Sequence, residues 1–83
     1  MEAKLRELLA LAERNVAEGQ RRIEVQRALL TGLDPDSGDA AIAGEILRSH
    51  LATQIVLQNH LRQLRIALEA ALKADHKRAV CES

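Results

Sequence analysis

Apolar residues recur along the first third of the chain in alternating steps of four and three. Leu5, Leu9, Ala12, Val16, Gly19, Ile23, Gln26, Leu30 and Leu33 fall on that ladder. The spacing is the heptad of a helix that lays one stripe against another helix. Leu8, Leu11 and Leu29 widen the stripe on one side, while Glu7, Arg14, Glu18, Arg21 and Glu24 hold the opposite face. Pairs at i,i+4 such as Glu18–Arg22 contribute about 0.2–0.5 kcal/mol each, so they keep that face soluble more than they drive folding. After a break the ladder resumes with Ala43, Leu47, His50, Gln54, Leu57, Leu61, Leu64, Leu68 and Ala71. Ile46, Leu51 and Leu72 broaden this second stripe, and Ile42, Ile55, Val56 and Ile66 lie further round. A helix apolar on several sides calls for more than one neighbour.

The break runs from Thr31 to Asp39 and holds the only proline. Gly32 is placed to take a left-handed conformation just past the first helix. Asp34 before Pro35 can open a turn, and Asp39 can cap the next helix. The spacing therefore predicts a first helix over 1–33, a turn over 34–39 and a second helix over 40–78. Lys73-Ala74-Asp75-His76-Lys77-Arg78 ends the apolar pattern, so residues 79–83 should fray. Folded at the turn, the chain is an all-α antiparallel helical hairpin. Its ladders then set Leu5 opposite Leu68, Leu9 opposite Leu64, Ala12 opposite Leu61, Val16 opposite Leu57 and Gly19 opposite Gln54.

Two helices of about 30 residues are each about 45 Å long and bury one line of contact. Each leucine left in water forgoes about 1.5–3 kcal/mol. The expected remedy is a second copy, which makes a four-helix bundle with two-fold symmetry. Leu8, Leu11, Leu29, Ile46, Leu51 and Leu72 are its expected dimer interface.

Length and composition narrow the rest. Eighty-three residues make one domain. With no Phe, Trp or Tyr the chain lacks the stacking platforms that hold single-stranded nucleic acid. A single cysteine excludes an intramolecular disulfide. The longest stretch without charge, between Arg48 and Arg62, is interrupted by Ser49, His50, Gln54, Gln58, Asn59 and His60, so no bilayer span is expected. The opening Met-Glu-Ala-Lys has no apolar run of a secretory signal, and a cytoplasmic location is the expectation.

Little chemistry is on offer. Neither Glu-x-x-His nor His-Glu-x-x-His occurs, and His50 and His60 stand ten residues apart, so neither a metal site nor a cofactor is expected. Cys81, in the tail, reads as an incidental thiol, because a nucleophile needs a structured electropositive pocket. No enzyme is expected. His50 sits at the centre of the second stripe, with Gln54 one turn on and Gln26 near it across the hairpin. The three form an expected buried polar layer that fixes register, as a polar core position does in coiled coils. A histidine there also leaves open a pH-sensitive layer.

Twelve basic and twelve acidic residues cancel, but unevenly. No acid falls between Glu45 and Glu69, whereas Arg48, Arg62 and Arg65 do. These arginines are candidate contacts for phosphates or an acidic partner. A neutral domain lacks the basic balance of a nucleic-acid binder, which disfavours that partner. Ile55 and Ile66, off the seam, are candidates for contact with a further protein, or else they widen the dimer core.

Val16-Ala17-Glu18-Gly19-Gln20-Arg21-Arg22-Ile23 and then Gln26-Arg27-Ala28-Leu29-Leu30 resemble the first helix of a family of small uncharacterised bacterial proteins. That helix reads VAEGERRI and then QR.L, and an acid-plus-threonine cap follows it. Asp39, Ala43, Leu47 and Thr53-Gln54 are similar to the family's second half, and the likeness covers about residues 13–68. Pro35 in the turn and Ala40 at the place of the threonine depart from the pattern. The resemblance implies the helical hairpin and brings no activity with it. In architecture alone the chain is also similar to a small plasmid-encoded hairpin that dimerises into a four-helix bundle and binds paired RNA loops. The expected function is thus a non-enzymatic dimeric protein-interaction or regulatory module; the alternative is a hairpin dimer that binds an RNA loop or the DNA backbone.

Overall fold

A computed structural model describes residues 2–82, with side chains described for 2–80. Helix α1 spans Glu2–Thr31 and helix α2 spans Gly38–Glu82. Among the described residues there is no strand, and the two helices form an antiparallel all-α hairpin. Ala, Leu, Arg, Glu and Gln fill both helices, and all are strong helix formers. The continuous propensity explains why α2 runs on to Glu82, past the boundary expected at Arg78. Ser83 and the side chain of Cys81 lie outside the described residues.

The connection differs from the expected turn in three respects. First, α1 ends at Thr31, and no glycine among the described residues has a positive φ. Gly32 closes the helix by tightening its last turn instead, its N–H donating to the Ala28 and Leu29 carbonyls at 3.3 and 3.2 Å. Second, Ser37 caps α2 in place of Asp39. Its Oγ accepts from the Ala40 N–H at 3.1 Å, and its carbonyl accepts from the Ala41 N–H at 3.3 Å. Third, α2 begins at Gly38, which puts Asp39 in the first turn, where its charge faces the positive end of the helix dipole. Asp34 does open a turn: its Oδ1 accepts from the Asp36 N–H at 3.1 Å. Its carbonyl accepts from the Ser37 hydroxyl at 2.7 Å.

The seam holds the expected register. Ala12, Leu61 and Leu64 form its buried centre, with Leu9 and Val16 packed against them. Ile23, Ala40, Ala43 and Leu68 continue the core toward the two ends. The core is thin, however, and no large side chain among the described residues is fully buried. The hairpin measures 70 × 14 × 14 Å, with a radius of gyration of 19.6 Å. A compact chain of this length has a radius of about 12 Å. Its accessible surface is 6322 Å², against about 4,900 Å² for a compact monomer of this mass. One hairpin is all edge.

Candidate interaction surface

Two amides tie the helices together across the seam. Gln54 is buried and donates from Nε2 to the Val16 carbonyl at 2.9 Å. Its Oε1 points at Gly19, where it takes the place that a Cβ would fill. That oxygen has no hydrogen-bond partner among the described residues. The glycine leaves a Cα hydrogen in its direction, a weak contact that ranks well below an N–H donor. Gln26 is half-buried and donates from Nε2 to the Ala43 carbonyl at 3.0 Å. So the expected polar layer is dispersed. Gln26 and Gln54 each reach the backbone of the opposite helix, and half-buried His50 lines an open groove with Glu18, Arg21, Arg22, Val25 and Gln26.

That groove defines one flank of the hairpin. A second groove, lined by Gln20, Ile23, Arg27, Leu51, Gln54, Ile55 and Gln58, defines the other. Residues seven apart on a two-helix seam keep the same side, and residues three or four apart are neighbours. From Val25 and Arg22 the first flank therefore runs along α1 through Glu18 and Leu11 to Leu8, and back to Leu29. On α2 it carries Ile42, Ile46 and Val56. From Leu51 and Ile55 the second flank extends to Arg48, Arg62, Arg65 and Leu72. The Glu13–Arg65 contact at 4.0 Å crosses the seam on this second side.

The two flanks differ in chemistry. Among the described residues eleven large apolar side chains stand exposed, and seven of them lie on the first flank. Leu11, Val25 and Leu29 are 47%, 55% and 58% exposed. The second flank carries Arg27, Arg48, Arg62 and Arg65, with exposed Ile55 and half-buried Leu51 among them, whereas Arg21 and Arg22 lie at the first groove. The six expected interface residues thus divide: Leu8, Leu11, Leu29 and Ile46 share the apolar flank, while Leu51 and Leu72 sit on the arginine flank. Val25, Ile42 and Val56 join the apolar flank without having been singled out for it. Their signal was present, since each falls seven or fourteen residues from another member of the row. Ile66 faces away from both flanks, on the back of α2.

The second helix also outruns the first. Glu2 and Ala3 lie beside Ala70, Ala71, Ala74, Asp75 and Arg78. Further along, Leu72, Lys73, His76, Lys77 and Val80 make a surface formed by α2 alone. Among the described residues no group of three His, Cys, Asp or Glu side chains could hold a metal ion. No described helix is long and apolar enough to cross a membrane. Comparison with protein-family models, curated proteins and solved structures gave no match.

Proposed function

We propose that the protein is a homodimeric helical interaction module whose apolar flank is covered by a second copy of the same chain. The observation that carries this reading is the concentration of exposed Leu8, Leu11, Val25, Leu29, Ile42, Ile46 and Val56 on one side of a two-helix hairpin. The area agrees. The chain exposes about 1,400 Å² more than a compact monomer of its mass, and a standard interface buries about 800 Å² from each partner. A stripe this long covered by a like stripe gives the layered core of a four-helix bundle. The arginine flank is then left outward, free to meet an acidic partner; contact with nucleic-acid phosphates is the second reading, favoured by Arg48, Arg62 and Arg65 sharing that side. Formal neutrality and the Glu13–Arg65 contact weigh against it. The test is co-purification of an untagged copy with a tagged copy after both are mixed at micromolar concentration. Retention of the untagged chain supports the pairing, and its complete loss in the wash contradicts it.

A further inference from the structure

We infer that the two copies lie antiparallel, with the two-fold axis passing the apolar flank of α1 at the level of Gln20, so that Glu18 of one chain meets the partner's Arg22. This rests on the homodimer just proposed and adds its orientation. Three features of charge and spacing carry it.

The first is a partial palindrome on the α1 flank, in which two pairs match across Gln20 while Leu8 and Val25 fall opposite Gly32 and Asn15. Leu11 and Leu29 lie nine residues to either side of Gln20, and Glu18 and Arg22 lie two residues to either side. An axis perpendicular to the helices at Gln20 therefore stacks α1 on the partner's α1, leucine on leucine and acid on base, twice over. Glu18 and Arg22 are both exposed and stand 3.9 Å apart in one chain, so each is available to the opposite copy.

The second is the pair of charged ends. Asp34, Asp36, Asp39 and Glu45 make residues 34–46 purely acidic, whereas between Glu69 and Glu82 the bases Lys73, Lys77 and Arg78 outnumber Asp75, which pairs with Arg78 at 3.8 Å. By the seam's register Gln20 is level with Thr53 along the hairpin. Asp36 lies 17 residues before Thr53 and Ala70 lies 17 after it. The antiparallel arrangement thus sets the acidic turn of each copy beside the other's α2 as it enters its basic run. Lys4, exposed and 4.0 Å from Glu7, arrives at the same turn from α1. A parallel pair does the reverse: it brings the two acidic turns together and the two basic ends together.

The third is length. α2 exceeds α1 by fifteen residues. In the antiparallel pair the excess at each end runs alongside and past a partner turn; in the parallel pair both excesses project from one end with no turn beside them. Exposed ion pairs contribute little affinity, but like charges placed opposite each other are what reject a wrong orientation.

Spin labels read the orientation directly. In a Cys81→Ser background, Asp36→Cys places one label per chain in the exposed turn. The backbone N–H of residue 36, which bonds Asp34, is unaffected by that change. With 1.5 Å rise per residue, the antiparallel dimer puts the two labels about 50 Å apart. Lys4→Cys, sixteen residues from Gln20, gives about the same separation. The parallel dimer brings the labels within about 25 Å at either site, given helices packed 8–10 Å apart. A long distance at both sites supports the inference. A short distance within a dimer overturns the orientation and leaves the pairing itself standing. Monomers with no inter-chain distance overturn both.

Discussion

Gln54 Oε1 stands where the side chain of residue 19 would begin, and only a glycine leaves it that room. The same amide donates to Val16, three residues earlier on α1. One side chain on α2 thereby grips a full turn of the opposite helix, and a one-residue slip of the seam would set it against Glu18 or Gln20 instead. Gln54 is buried, and Leu57 lines the same space over Gly19.

A coupling follows from that grip. Glycine inside a helix is about 0.5–1 kcal/mol less stable than alanine, so Gly19→Ala should stabilise α1 by that much if space allows. The new methyl displaces Gln54 Oε1, already without a partner, and turns the amide so that Nε2 loses its bond to Val16, leaving one buried donor newly unpaired at about 1–3 kcal/mol. The alanine therefore destabilises the native chain, by about 1 kcal/mol net. In a Gln54→Ala background the obstruction is gone and the same Gly19→Ala change stabilises. Urea unfolding of the four proteins reads the reversal of sign. Equal effects of Gly19→Ala in both backgrounds would remove the grip from the account.

Ser37 and Asp39 should separate in the same measurement. Ser37→Ala removes the acceptor for the Ala40 N–H and costs about 1 kcal/mol. Asp39→Asn removes a first-turn charge and costs about 0.3–1 kcal/mol, declining with added salt. If Asp39→Ala were the more damaging change at high salt, the cap would be misassigned.

The flanks can be told apart by where a charge is tolerated. Leu29→Glu places a carboxylate on the apolar flank of both copies and should weaken dimer affinity by more than about tenfold, since each leucine buried is worth about 1.5–3 kcal/mol. Ile66→Glu changes a residue of similar exposure on the back of α2 and should leave dimer affinity within about twofold, because surface changes away from a contact fall within about 0.5 kcal/mol. Dilution experiments on the two variants give both values. Equal weakening by the two would mean that the apolar flank is not the surface that pairs.

Most of the hairpin is written in its heptads. Steps of four and three fix which residues of each helix meet, and a turn of six residues leaves one sensible way to fold back, so Ala12, Leu61 and Leu64 were placed correctly from spacing alone. The cap was harder to read. Asp34, Asp36, Ser37 and Asp39 all have capping side chains within six residues. The choice fell to Ser37 because Asp34 is used by its own turn across Pro35. The sorting of apolar residues into flanks was hidden for another reason. Widening residues on either side of a stripe have similar spacing, and the side of Leu51 and Leu72 emerges only once Glu13 and Arg65 show which edges of the helices meet. The polar layer was legible as positions but not as bonds: Gln54 is buried and Gln26 stands near His50, yet the partners are backbone carbonyls. A seam glutamine can bond a backbone carbonyl across the interface as readily as another side chain, and periodicity is silent on which.

The most direct measurement is the mass in solution. The chain weighs 9.1 kDa. Sedimentation equilibrium at micromolar concentration should return about twice that value for the native chain, and the single-chain value for a Leu11→Glu, Leu29→Glu double variant that keeps its helical circular dichroism. A native chain that sediments as a single hairpin across that range, with a sharp cooperative thermal transition, would contradict the account.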